Sequence, residues 1–177
     1  MPYIVALLGL LAGAWFWMNR VKAAGNAAQD LVGMAQDVVS AARRFGFRRR
    51  YNEHPVDSLT DPDVAIAGAG LAFLELSGLP SAEQQDALLV SLQSHLGHER
   101  GKAEEAMILG RWLVTESGGA GPALTRLCRR LQKMKGPEAL PPLMSVLNDV
   151  AAAGRDTALS PRQREALDEI SRAFRLG

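Results

Sequence analysis

The first part of this chain lacks charge. Residues 2–19 contain no Asp, Glu, Lys, Arg or His and are mostly apolar. Eighteen helical residues at about 1.5 Å each reach roughly 27 Å, just short of a hydrocarbon core of about 30 Å. A buried core helix is a poorer reading, because such helices rarely stay uncharged on every face for this length. The expectation is a transmembrane helix over residues 2–19. Trp15 and Trp17 suit the interfacial belt, and Arg20 and Lys22 are placed to snorkel. All the nearby cations lie on the C-terminal side, which points the short N-terminus away from the cytoplasm and the rest of the chain into it. A cleaved secretory signal is the rival reading, with Val21-Lys22-Ala23 as a weak cleavage site. It lacks the positive start, and Trp15, Phe16, Trp17 and Met18 crowd the place where small residues should precede a cut. Gly9 and Gly13 form a GxxxG that could pair two spans, although a Gly- and Ala-rich run often contains one incidentally.

Cysteine is nearly absent too. The single Cys128 excludes an internal disulfide and suits a reducing compartment. Its spacing with Leu124, Leu127 and Leu131 makes it a core thiol. Period-two clusters of β-branched and aromatic residues are missing, so no strand competes with helix. Also missing are a glycine-rich phosphate loop, G-x-S-x-G, H-E-x-x-H and Cys-x-x-Cys. The glycines of Ile66-Ala67-Gly68-Ala69-Gly70 follow a helix start rather than a strand, which argues for close helix packing and against a dinucleotide fingerprint. An enzyme is the weakest class, and no cofactor is implied.

What is present is an uneven charge distribution. Residues 20–50 hold seven Lys/Arg against two acids, Asp30 and Asp37, whereas residues 51–177 hold thirteen Lys/Arg against seventeen Asp/Glu, a net of −4. A nucleic-acid binder would carry its basic face on the folded domain, so nucleic acid is not an expected partner. Arg43, Arg44, Arg48, Arg49 and Arg50 are placed for anionic lipid headgroups, or serve only as a solvated run that sets topology.

Beyond the span, Val21, Ala24, Ala28, Leu31, Ala35, Val38, Ala42 and Phe45 alternate by three and four. This predicts a stalk helix over 20–50. The stalk leans on its own domain or the membrane, or pairs with a second copy through the heptads. Residues 51–59 read as a linker. From 60 to 177 the signals are those of an all-α domain of about six helices. Thr60, Ser81 and Ser160 stand three residues before Asp63, Gln84 and Gln163, and the last two pairs are capping boxes. Helical segments are expected over 64–76, 124–135, 140–152 and 160–176. Leu88, Leu89, Leu92 and Leu96 mark a further helix face, and Met107, Leu109, Trp112 and Leu113 another. Trp112 is expected in the core.

Two segments repeat one form, an apolar helix, a short turn, then Ser-x-x-Gln. They are Leu74-Glu75-Leu76-Ser77-Gly78-Leu79-Pro80-Ser81-Ala82-Glu83-Gln84 and the run from Val150 through Asp156, Thr157 and Ser160 to Gln163. Over residues 60–177 this resembles the TerB-like (tellurite-resistance) helical domain, whose two halves each carry a turn of the kind Asp-Gly-x-Ile/Leu-Ser-x-x-Glu. A span followed by such a domain is similar to the front part of DjlA-type membrane co-chaperones. The resemblance implies turn acids and helix-start glutamates that bind metal. Here Ser77 and Gln84 replace the acids of the first turn, and Thr157 and Gln163 depart from the second, leaving Asp156. Hard cations want several oxygen ligands, so the ligand set is lost while the caps remain. His54-Pro55-Val56-Asp57 only approximates the His-Pro-Asp of a J domain, and no co-chaperone activity carries over.

His95 and His98, three apart with Glu99 beside them, are the remaining metal candidates together with Asp156. A histidine pair in a last turn also favours the helix C-terminus directly, and that reading is preferred. The expected function is a membrane-anchored, TerB-like protein-interaction module, an accessory or scaffold subunit of a bacterial inner-membrane assembly with its domain in the cytoplasm. The alternatives are a metal- or stress-responsive sensor using His95, His98 and Asp156, and a thiol enzyme using Cys128.

Overall fold

The computed structural model describes residues 35–48, 52–153 and 159–175, in which the end of a helix over 35–44 is followed by six α-helices and two short 3-10 turns. The helices are α1 (Pro62–Glu75), α2 (Ala82–Leu96), α3 (Arg100–Glu116), α4 (Ala120–Lys135), α5 (Leu140–Ala152) and α6 (Pro161–Arg175). The 3-10 turns are Pro55–Ser58 and Gly136–Ala139. No strand occurs among the described residues, so the domain is all-helical. No described helix is long and apolar enough to cross a membrane. The expected span, with Gly9, Gly13, Trp15, Trp17, Arg20 and Lys22, lies outside the described residues, as does most of the stalk.

Helix α1 is the axis of the bundle. Its residues from Val64 to Leu74 are small or apolar on every side, and all eleven are buried. A helix with no polar face can satisfy its surroundings only by being enclosed. Neighbours α2, α3, α4 and α5 enclose it, and α2 also packs along α5. Leu71, Phe73 and Leu74 are fully buried, and each such side chain contributes about 1.5–3 kcal/mol by leaving water. The Gly68 and Gly110 backbones meet where α1 crosses α3, an approach that a side chain at Gly110 would prevent.

Both capping boxes form. Ser81 Oγ accepts from Gln84 N at 3.2 Å, and Gln84 Oε1 accepts from Ser81 N at 3.0 Å. Ser160 and Gln163 repeat the exchange at 3.2 and 3.0 Å. At α1 the start falls one residue later than Thr60 suggested. Asp61 Oδ1 takes the Asp63 N–H at 2.8 Å, and Pro62, whose fixed φ suits the first helical position, follows it. Helix α4 starts four residues earlier than its apolar pattern implied. Gly121 and Pro122 fall in its first turn, where a missing N–H leaves no helical bond broken.

Two segments differ more substantially from their sequence reading. Residues 52–59, read as linker, include the Pro55–Ser58 turn with Val56 and Leu59 essentially fully buried. The Arg130 guanidinium donates to Leu59 O from Nε at 2.8 Å and also from Nη2, and Arg126 Nη1 pairs with Asp57 at 3.0 Å. The end of the stalk is also part of the domain. Residues 38–48 belong to the same compact unit as the six helices, and their helix ends at residue 44. Ala41 and Phe45 are buried in the core, with Val38, Ala42 and Phe47 packed against it.

Candidate functional site

The two histidines do not converge. His95, in the last turn of α2, brings Nε2 to 2.9 Å from Asp149 Oδ2 on α5. His98 lies just past Gly97, whose φ of 65° reverses the chain out of the helix, and its Nε2 sits 3.1 Å from Asp63 Oδ2 on α1. Each imidazole thus faces a different carboxylate, and no group of three or more His, Cys, Asp or Glu converges among the described residues. Asp156, the third metal candidate, lies outside them.

The same Asp149 oxygen accepts the Ser91 hydroxyl at 2.7 Å. This places serine, aspartate and histidine together, but with the carboxylate in the middle. A hydrolytic triad needs imidazole beside the hydroxyl, to take its proton. Here Ser91 donates to a carboxylate and is itself buried, so the constellation ties α2 to α5 and activates no nucleophile. The Ser91 hydrogen bond, reinforced by His95, holds the Asp149 carboxyl below its ordinary range.

Around His98 the balance is different. Its side chain is 2% exposed, and burial lowers its pKa, with Lys102 acting in the same direction. Burial also raises the pKa of Asp63, helped by the nearby Asp61. Lys102 Nζ stands 4.0 Å from Asp63 and lies over the Phe45 ring at 5.7 Å, which brings the arm (residues 38–48) to the edge of this cluster.

Three more contacts tie the arm or the segment after it to the bundle. Arg44 Nε lies 2.9 Å from Glu105 Oε2, Phe47 meets Trp112 edge-on at 5.7 Å, and the His54 ring contacts Glu116 O at 3.3 Å. Arg44, expected to face lipid, is therefore engaged by the domain. Arg43 and Arg48 are exposed, and Arg49 and Arg50 lie outside the described residues. Trp112 is half-buried at this seam rather than enclosed in the core. His54, in the sequence that approximates a J-domain tripeptide, caps the Pro55–Ser58 turn by accepting from Val56 N at 3.2 Å.

Cys128 is 5% exposed on α4, and burial pushes its thiol up to about 12. No thiolate nucleophile is available at neutral pH from such a group.

An open concave surface lies elsewhere among the described residues, along the seam between α4 and α6. A groove of about 530 Å³ is lined by Glu75, Leu124, Arg162, Glu165 and Glu169 among others. A smaller cavity of about 170 Å³, reaching Cys128 and Ile170, shares Leu124, Thr125, Ala166 and Glu169 with it. The two adjoin along an apolar floor at Leu124 and Ala166, and charged side chains, Arg129 among them, line their rims. Helix α6 reaches the bundle through Gln163, Ala166, Ile170 and Phe174, and Gln163 Nε2 donates to Phe73 O at 3.2 Å.

No protein-family model, curated protein or solved structure matches this chain.

Sequence reasoning missed this groove. Its signal was available on α6, where Arg162, Glu165 and Glu169 recur at three- and four-residue spacing and so share a face. What the sequence could not supply was the facing helix.

Proposed function

We propose that this chain is a membrane-anchored protein-interaction module of TerB-like type, an accessory or scaffold subunit of a bacterial inner-membrane assembly. The observation that carries the reading is the partition of charge and apolarity. An uncharged run of eighteen residues precedes a stretch with five more cations than acids, of which Arg20 and Lys22 directly follow the run. Anionic headgroups attract cations placed directly beside a span. Tethering is the mechanism. A span and stalk hold the domain near the bilayer and raise its effective concentration for partners in the same membrane.

The internal chemistry supports a binding role. His95, His98, Ser91 and Cys128, the side chains with most catalytic promise, are engaged by structural carboxylates or buried. Their commitment leaves the surface as the working part. The test is affinity capture through a C-terminal tag from detergent-solubilised membranes, followed by mass spectrometry, with fractionation in parallel. The reading expects the full chain in the membrane pellet, released only by detergent, with a reproducible co-purifying protein. A native chain in the high-speed supernatant, or one whose N-terminus is Ala24, overturns it.

A further inference from the structure

We infer that the α4–α6 groove is a docking site for a basic, amphipathic segment of a partner protein; this deepens the interaction-module reading and rests on it. The groove combines two features that single residues do not provide. Its floor is apolar, through Leu124 and Ala166, and continues into the smaller cavity toward Ile170. The rim of the larger cavity carries Glu75, Glu165 and Glu169 against Arg162, and the smaller adds Arg129 at its far end.

These acids are not balanced within the domain. Glu75 has Arg111 only at 4.0 Å, and neither Glu165 nor Glu169 forms an ion pair among the described residues. Glu165 and Glu169 also stand four apart on α6, where like charges repel across one turn. An incoming Lys or Arg would relieve that repulsion. The apolar floor, in turn, excludes a purely hydrophilic ligand such as a free metal ion as the best occupant. A volume of about 530 Å³ is in the range of specific ligand pockets and accommodates a few side chains, the footprint of one or two helical turns. The occupant that fits is a short helix with Leu-like anchors on one face and Lys or Arg flanking them.

The test uses the full chain in uncharged detergent and a fluorescein-labelled helical peptide of repeating Leu and Lys, with a Leu and Glu peptide of equal length as control. Anisotropy titration is expected to show saturable binding of the basic peptide, weakened by salt and absent for the acidic one. The double variant E165K/E169K is expected to bind about tenfold or more weakly, since two attractions become two repulsions. Both glutamates are exposed, so their reversal leaves the core alone. Thr125→Trp, at an exposed position lining both cavities, should obstruct the groove and weaken binding similarly. Binding that is absent, equal for both peptides, or unchanged in both variants overturns the inference. Failure here is distinct from failure of the tethering reading. If E165K/E169K still pellets with membranes and retains the co-purifying protein, the module stands and the groove assignment falls; if the wild-type chain is soluble, the tether falls while the titration is still read.

Discussion

A Cβ built on Gly110 would lie 2.9 Å from the Cα of Gly68, and 2.8 Å from its nitrogen, where α3 crosses α1. Backbone cannot swing aside as a side chain does, so the crossing has no room for a methyl group. Gly110→Ala is expected to destabilise the domain by about 2 kcal/mol, overpacking outweighing the helix propensity that alanine adds. Gly70→Ala collides with the Leu88 Cδ1 terminus, at 2.6 Å, and meets Val146 Cγ1 in ordinary contact at 3.5 Å, so rotation of the Leu88 side chain makes the loss smaller. Gly101→Ala faces open space near the start of α3 and should gain about 0.5 kcal/mol. Urea denaturation followed by circular dichroism ranks the three; equal effects at Gly110 and Gly101 would refute the close crossing.

The arm should open without unfolding the bundle. Phe45 is 6% exposed and is the main apolar anchor of residues 38–48. Phe45→Ala is expected to cut the free energy of arm opening by about 3 kcal/mol, the usual cost of emptying a buried aromatic site. Phe47→Ala removes only the edge-on contact with Trp112 and should cost about 1 kcal/mol. Arg44→Ala removes the cation beside the buried Glu105 Oε2 and should cost about 1 kcal/mol. Hydrogen exchange of residues 38–48 reads all three. Uniform protection across the variants would mean that the arm is held by something else.

The sequence carried whatever is local or all-round. Ser81–Gln84 and Ser160–Gln163 were legible because a capping box is closed by residues three apart, and α1 because its apolar character admits no exposed face. Residues 52–59 were not legible. Their two anchors, Val56 and Leu59, are too few to make a periodic pattern, and their fixing bond comes from Arg130, 71 residues beyond Leu59. The histidines show the same limit. Their spacing suggested a pair, but His95 turns to Asp149, 54 residues away, and His98 to Asp63, partners that only the fold brings near. The groove needed α4 and α6 side by side, and only the α6 half was written as a stripe.

Acid should weaken the domain through His98. Burial lowers its pKa from 6.5, so below that pH the unfolded chain binds a proton that the folded chain resists. Stability is expected to fall as pH drops from 6.5 toward the lowered folded value. Asp63 acts with the opposite sign, in a window that runs from 3.8 up to its raised folded value. Its raised pKa lets the folded state take up a proton first, so acidification between that value and 3.8 returns some stability. Unfolding midpoints measured from pH 7.5 to pH 4, in about half-unit steps, test both signs, with His98→Gln removing the first slope. A wild-type profile no steeper than that of the variant would show that the imidazole is solvated.

Cys128 should be silent toward alkylation until the domain opens. Burial alone moves its pKa from 9.0 to about 12, which lowers the thiolate fraction at mildly alkaline pH about a thousandfold before steric protection is counted. Iodoacetamide at pH 8 is expected to label the native chain at least a thousandfold more slowly than the urea-unfolded chain, as followed by intact mass. The thiol also reports on the seam, because Cys128 lines the smaller cavity between α4 and α6. Ile170→Ala removes apolar cover from that cavity on the α6 side and should accelerate labelling while leaving α1 protected from hydrogen exchange. Fast labelling of the wild-type native chain would mean that α6 leaves the bundle readily. The α4–α6 cavities would then be a product of its motion rather than a standing groove.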